Sequence, residues 1–416
     1  MRFIIHTPDP TSLNITHLNE SQPRLQGDRP KSTNNSSRAQ VPNSEPETYQ
    51  GDSFEALVSS EPRSALNNPE IASLFRHYID YLAPWYDLCD AENLFGTIVP
   101  LHALENPILF KALIAFSALH KTGVSGEMRG LGQAFHAACI RDLLHVIDNF
   151  QLRLRGDYLA ATCLLRSYEI IAGDSRKQQK HLLGAYLFST RDPIEMNRTG
   201  LSQAGAWNYL REEITVALEC QRTTRIGFDF NFDAAERYSD SMRANIISYI
   251  LARVTNYCFQ ESMERQMQEK QIAWKSLRKE LATWREYLPA SFEPYSTAVK
   301  ENNPFPSLWL IHPWHVAAQQ YCSVAEILLA LFDPFAPANQ EAVLEHAIKI
   351  CGLAYTNDNV AARVNAFGPL AFCGKYLVDS THREGLKTML RQFGTPTAWP
   401  VHCIIGDLEQ YWTLMT

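Results

Sequence analysis

The chain lacks the closely spaced cysteines that would mark a zinc module. Its 416 residues include nine cysteines, but no two of them stand at metal-ligand spacing, and the first is Cys89. Structural zinc sites require such pairs. We therefore predict no metal site, and we expect the cysteines to be small buried hydrophobic residues of a reducing compartment.

Long apolar runs are also missing. The only apolar run near the N-terminus is Phe3-Ile4-Ile5, which is too short for the core of a signal peptide. No stretch approaches the roughly twenty apolar residues of a membrane-spanning helix. The sequence therefore predicts no membrane association and a nuclear or cytosolic protein.

A strongly basic segment is absent as well. The formal net charge is -7, and the nearest basic groups, Arg176-Lys177 and Arg278-Lys279, are short. Such a balance gives no overall attraction to a phosphate backbone. No direct contact with DNA is evident from this chain.

The common catalytic patterns do not occur. There is no G-x-S-x-G turn and no G-x-x-x-x-G-K-[ST] loop, so nucleophile-elbow and P-loop chemistry are unsupported. Gly130-Leu131-Gly132 lacks the third glycine of a dinucleotide site, and we predict a loop that leads into a helix. In His312-Pro313-Trp314-His315 the proline indicates a helix start more than a ligand pair.

A large helical protein could also be a terpene cyclase, which needs clustered carboxylates to hold magnesium. No Asp-Asp-x-x-Asp motif occurs. Asn357-Asp358 begins like the second metal motif of those enzymes, but Ala361 and Asn365 stand where Ser and Glu are required. We therefore predict no catalytic residue, no cofactor and no enzyme activity.

Apolar spacing of three and four dominates the sequence beyond its first 53 residues. Residues 1–53 are rich in Ser, Asn, Pro and Thr and are predicted to be disordered. Residues 54–416 are predicted to form a single large all-α domain of antiparallel helix pairs. Two stretches break the pattern: Arg222 to Ser239, predicted to be a surface loop, and Pro289 to Pro313, predicted to be a long ordered connector.

The block from Tyr158 to Phe228 places polar residues inside helical patterns. Its second helix has an apolar stripe, with Ser202 as the expected N-cap. The stripe comprises Trp207, Leu210, Ile214, Ala217 and Leu218. The polar residues Arg166, Glu169, Arg211 and Glu212 lie at its edge or in the preceding helix. Two interpretations remain open: a structural edge in which an arginine bridges the helices, or the lining of a regulatory or ligand pocket.

Several segments of this chain, in order, resemble the fungal-specific transcription factor domain, the regulatory or middle homology region of zinc binuclear-cluster regulators. The similarity covers roughly residues 68–416. The segments that carry it are Asn106-Pro107 through His120, Tyr158 to Glu169, His181 to Ala185, Trp207 to Ile214, and Gly394 to Trp412. The resemblance implies a structural family signature of Arg166, Tyr168, Glu169, Trp207, Arg211, Glu212, Gln221 and Arg222.

The resemblance implies the regulatory half of a transcription regulator in the nucleus. Its partners would be transcription-machinery proteins or a DNA-binding regulator, with a small-molecule effector and a homodimer as further expectations. Because no cysteine precedes Cys89, we expect either a zinc cluster encoded upstream or a protein that acts without touching DNA.

Three functions follow in decreasing order of support. The first is a transcriptional regulator that controls a fungal metabolic or biosynthetic gene cluster. The second is a stand-alone helical cofactor that does not bind DNA and instead binds a partner regulator or a small metabolite. The third, with least support, is a helical enzyme.

Overall fold

The fold is all-α, as the sequence predicts. A computed structural model describes residues 55–125, 129–147, 156–173, 194–196, 199–224, 227–233, 237–260 and 267–415. The predicted disordered segment 1–53, the Arg176-Lys177 pair and the His181 to Ala185 segment lie outside the described residues.

Helices account for most of the described residues. They are α1 Pro62–Ala65, α2 Pro69–His77, α3 Ala83–Tyr86, α4 Leu94–Ala103, α5 Pro107–Ser125, α6 Arg129–Ile147, α7 Gly156–Ala172, α8 Leu201–Cys220, α9 Asp240–Phe259, α10 Met267–Glu286, α11 Pro313–Leu331, α12 Gln340–Thr356, α13 Val360–Cys373, α14 Ser380–Thr397 and α15 Val401–Met415. A π-helical turn, Tyr78–Leu82, joins α2 to α3. The short strands β1 Ile194–Glu195 and β2 Phe228–Asp229 pair in parallel.

Local sequence sets the starts of the helices. The Asn106 side chain accepts hydrogen bonds from the backbone amides of Ile108 at 3.1 Å and Leu109 at 3.3 Å. Pro107 then occupies the first turn, where a missing N–H costs nothing. Pro313 likewise begins α11, so the prediction of a helix start at His312-Pro313 is confirmed.

Contacts between helix ends show how the helices run. In α5 and α6 the Cys139 thiol lies 3.2 Å from the Ile108 carbonyl, and a Cβ on Gly132 would lie 3.3 Å from that of Ala118. These two helices are therefore antiparallel, as are α9 with α10 and α11 with α12.

Where one antiparallel helix pair packs against the next, the two helices in contact run in the same direction. His315 Nε2 lies 3.0 Å from Asp240 Oδ2, and at the other end the Cys258 thiol donates to the Leu328 carbonyl at 3.8 Å. Thus α9 and α11 are parallel. Antiparallel hairpins placed side by side produce an inner row of parallel helices whose side chains form one contiguous apolar core.

Three local expectations need correction. Helix α6 already begins at Arg129, so Gly130 and Gly132 are helical and not part of a preceding loop. Gly200, with φ of 65°, is the N-cap of α8 in place of Ser202, since that conformation suits glycine. The stretch after Arg222 includes β2, and its Phe230 ring packs against Trp207 with ring centroids 5.0 Å apart.

The connector from Pro289 to Pro313 is ordered. It contains a short 3-10 turn, Ala290–Phe292, and an antiparallel bridge between Ser296 and Trp309. The Phe292 ring is fully buried. A long segment with few helical residues is therefore held by its aromatic side chains and local hydrogen bonds.

In the described part of the chain no single helix is long and apolar enough to cross a membrane. Helix α4 and residues Pro107–Gly123 reach the necessary length and apolarity only together, as a pair bent by 120°.

Candidate functional site

A cavity of about 710 Å³ opens where α7 and α8 face α13 and α15. Trp85 and Tyr86 of α3 close one side, and the segment Trp399-Pro400 between α14 and α15 closes another. Its volume falls within the range of small-molecule sites. The exposed side chains of Glu219 and Asp407 lie on its rim.

The polar wall of the cavity depends on close packing of α7 against α8. A Cβ on Gly205 would lie 2.9 Å from the Cβ of Leu159, so only glycine permits this approach. Gly156 meets Ser202 at the start of both helices, and Arg166 meets Glu212 ten residues further on. The helices therefore run parallel and bring the Arg166 and Glu212 side chains together.

Arg166 and Glu212 form the bridge between helices that one interpretation of the sequence predicts. Arg166 Nε lies 3.8 Å from Glu212 Oε2, and both side chains are largely buried. Burial raises the pKa of Glu212 to about 8, although the charges of Arg166 and Arg211 act to lower that pKa. Desolvation therefore outweighs ion pairing here, and the carboxyl group holds its proton at neutral pH.

Arg211 is committed to a buried hydrogen-bond network. Its guanidinium donates to Asn245 Oδ1 at 2.8 Å and to Asn208 Oδ1 at 2.9 Å. Asn208 in turn donates to the Tyr86 carbonyl at 2.9 Å. The network ties α8 to α9 and α3, and it explains how a buried arginine is accommodated.

The end of α8 holds a charged pair. Arg222 Nη1 lies 2.8 Å from the buried Glu213 Oε1 and also donates to the Thr223 carbonyl at 2.6 Å. Glu213 and Arg222 are nine residues apart, so the i,i+3 and i,i+4 spacings of a helix do not predict this pair. Gln221 has a φ of 50° and ends the helix, a left-handed turn that directs Arg222 back along α8.

The facing wall is mainly apolar. The rings of Phe367 and Trp399 stack with centroids 4.9 Å apart, and Phe372, Ile404 and Leu408 continue the surface. Gly368 lets α13 approach α8, since a Cβ there would lie 2.7 Å from Thr215 Oγ1. The cavity is thus more polar towards α7 and α8 and more apolar towards α13 and α15, where Asn365 and Asp407 are the polar members of the lining.

The structure divides the predicted signature residues into two groups. Arg166, Glu169, Arg211, Glu212 and Arg222 line the cavity. The other three lie elsewhere: the Tyr168 ring stacks on His136 at 4.1 Å, Trp207 is buried in the core, and Gln221 is exposed. The structure thus shows both a bridge between the helices and a cavity, while a regulatory or ligand-binding role of these residues and the family role of the set stay predictions.

Sequence reasoning missed the cavity residues from distant segments. Trp85 stands before α4, while Asn365, Phe367 and Trp399 follow Arg222 by more than a hundred residues. No spacing rule connects them to α7 and α8. Only the Asn359 cap and the helical spacing of α13 could have indicated that Asn365 and Phe367 belong to one buried helix.

Among the residues that the structure describes, no group of three or more His, Cys, Asp or Glu side chains could hold a metal ion. The cavity instead combines hydrogen-bond donors with aromatic surface. Such an arrangement suits reversible binding of an organic molecule.

Comparisons with known proteins confirm the family resemblance for part of the chain. Residues 73–209, from α2 into α8, match the family model described as the fungal specific transcription factor domain. The transcription activator AMTR1 of Alternaria alternata is 23% identical over 165 residues, which cover 33% of this chain and 21% of that protein. The chain thus spans about a fifth of the length of this curated relative. No solved structure gives a significant match.

The matched segment includes Arg166, Tyr168, Glu169 and Trp207 but ends before Arg211. It therefore covers one part of the polar wall and none of the apolar wall.

Proposed function

We propose that this chain is the regulatory domain of a transcription regulator that acts in the nucleus on a fungal metabolic or biosynthetic gene cluster. The observation that carries the proposal is the match of residues 73–209 to the fungal specific transcription factor domain. The similarity to a transcription activator supports the same class of function.

The cavity supports a regulatory role with a small-molecule effector. It is lined by α3, α7, α8, α13 and α15 together, so a bound molecule would contact both the matched segment and the C-terminal helices. Ligand binding that favours one packing of these helices would shift the population of conformations available to protein partners. Those partners are proposed to be a DNA-binding regulator or proteins of the transcription machinery.

A reporter experiment tests the regulatory role. The full chain is fused to a heterologous DNA-binding domain in a fungal host that carries the matching operator before a reporter gene. We expect reporter expression to change relative to the DNA-binding domain alone. A folded, nuclear fusion that leaves expression unchanged would argue against a regulatory domain.

Deletion of the gene tests the link to a gene cluster. We expect transcripts of a contiguous set of metabolic genes to change together. Scattered or absent changes would remove the gene-cluster part of the proposal and leave the reporter result standing.

The second candidate, a helical cofactor without DNA contact of its own, is favoured by the net charge of -7. Affinity purification of the tagged full chain from nuclei distinguishes it. Recovery of a separate zinc-cluster protein in stoichiometric amount would support the cofactor role. Co-purification of target promoter DNA with the chain and no partner protein would exclude that role.

A further inference from the structure

We propose that the cavity between α7, α8, α13 and α15 binds an uncharged, largely apolar small molecule that carries carbonyl oxygens. The inference names the class of effector for the proposed regulatory domain and rests on that function for its biological meaning. Its physical basis is that the cavity lining buries more hydrogen-bond donors than the neighbouring acceptors can pair.

Three side chains of the lining bury donors that have no hydrogen-bond partner among the described residues. They are the indole Nε1 of Trp85, the amide Nδ2 of Asn365, and Nε with Nη2 of Arg222. The Trp85 side chain is almost fully buried, with 6% of its residue surface exposed. Buried donors are rarely left unpaired because each costs about 1–3 kcal/mol.

The unpaired atoms specify the chemistry of the missing partner. An indole N–H and a guanidinium can only donate, and the Asn365 carbonyl oxygen already accepts from the Tyr321 hydroxyl at 2.7 Å. Arg166 Nε and Glu212 Oε2, also without hydrogen bonds, face each other at 3.8 Å. The excess is therefore of donors, and a ligand must supply acceptor oxygens.

Charge balance argues that these oxygens are not ionised. Because Glu212 holds its proton, the lining contains three arginines and one lysine against two other glutamates and one aspartate. Glu213, which lies behind the wall and pairs with Arg222 at 2.8 Å, supplies the fourth negative charge. A carboxylate ligand would bring an uncompensated charge into a site that is already balanced, at a large desolvation cost.

The apolar wall specifies the body of the ligand. The stacked rings of Phe367 and Trp399, with Ile404 and Leu408, offer aromatic and aliphatic surface on one side only. A molecule with a ring system that carries carbonyl groups would suit this lining, because the unpaired donors lie on α3, on α13 and just after α8. The volume of about 710 Å³ accommodates a molecule of drug-like size.

A fluorescent naphthyl ketone tests this class directly. Prodan is uncharged, aromatic and carries one carbonyl, and its emission moves to the blue when it leaves water. It is titrated onto the full chain beside two matched compounds, a naphthoate with a carboxylate in place of the ketone and a dimethylaminonaphthalene with no acceptor. We expect one prodan per chain and at least about tenfold weaker binding of both analogues.

Two tryptophans provide a matched pair of variants. The indole N–H groups of Trp85 and Trp207 are both buried and both lack a hydrogen-bond partner in the described residues, but only Trp85 lines this cavity. Trp85→Phe should weaken prodan binding about threefold to tenfold, the value of one hydrogen bond. Trp207→Phe should leave the affinity unchanged.

Blocking variants place the bound probe in this cavity. Val216→Phe on α8 and Ala371→Phe on α13 fill it from opposite walls, and each should abolish prodan binding while thermal unfolding stays cooperative. Naphthoate binding as tight as prodan, or prodan binding that survives both folded blocking variants, would overturn the proposal.

The reporter fusion separates this inference from the proposed function. If the reporter responds and prodan does not bind, the ligand class is wrong and the regulatory role stands. If prodan binds as described and the reporter is silent, the site is real and the regulatory role fails.

Discussion

Helix α8 buries two adjacent faces that meet different surroundings. The first presents Trp207, Leu210 and Ile214 to the core, where neighbouring side chains fill the space. The second presents Arg211, Glu212 and neighbouring residues to the cavity. The comparison teaches that a helix can be buried nearly all round while only one of its faces is packed.

The two faces also differ in what a substitution should do. On the packed face, removing atoms leaves a hole that the surroundings cannot fill. On the cavity face, space already exists, and the cost of a change depends mainly on charge and hydrogen bonding. Three predictions sharpen this contrast.

The largest expected effect is on the packed face. Trp207→Ala should lower the free energy of unfolding by about 3–5 kcal/mol, because the ring is 2% exposed and packs edge-on against Phe230. Val216→Ala on the cavity face should cost about 1 kcal/mol or less. Urea denaturation measures both, with Tyr81→Ala, at a position 61% exposed, as the surface control. Equal losses for Trp207→Ala and Val216→Ala would remove the distinction between the faces.

The second prediction concerns pH on the cavity face. Burial raises the pKa of Glu212 from 4.5 to about 8, so between these values the folded chain keeps a proton that the unfolded chain releases. The contribution of Glu212 to stability therefore falls as pH rises from about 4.5 to 8. The glutamine of the Glu212→Gln variant cannot ionise, so that variant should not lose this contribution to stability as the pH rises.

The relevant measurement is the difference in unfolding free energy between Glu212→Gln and the parent chain across pH. It should be near zero at pH 5 and should favour the variant at pH 9 by on the order of 3 kcal/mol. A difference that does not change with pH would show that Glu212 is better solvated than its burial indicates.

The third and smallest effect tests the contact that holds α13 against α8. Gly368→Ala should cost about 1–3 kcal/mol, since its Cβ would lie 2.7 Å from Thr215 Oγ1. Gly406→Ala in α15, where nothing lies within 4 Å of an added Cβ, should be neutral or slightly stabilising. Thermal unfolding compares the two. If Gly368→Ala were as stable as Gly406→Ala, α13 and α8 could move apart without a loss of folding stability.

Some of the site was predictable from local pattern. The apolar stripe from Trp207 to Leu218 is buried as expected, because a spacing of three and four fixes one helix face whatever lies against it. The Arg166–Glu212 bridge was also among the expected pairings. By contrast, the partner of Arg222 was not predicted, since a left-handed residue at position 221 redirects that side chain towards Glu213.

The sequence by itself determined most of the helices and the class of fold, because these depend on residues within a few positions of one another. The tertiary structure alone decided that Trp85, Arg222, Asn365 and Trp399 share one cavity. Their separation along the chain carries no periodic signal, and their proximity results from the parallel packing of α7 with α8 and the close approach of α13 at Gly368. A cavity is the space left between packed helices, and no single segment encodes it.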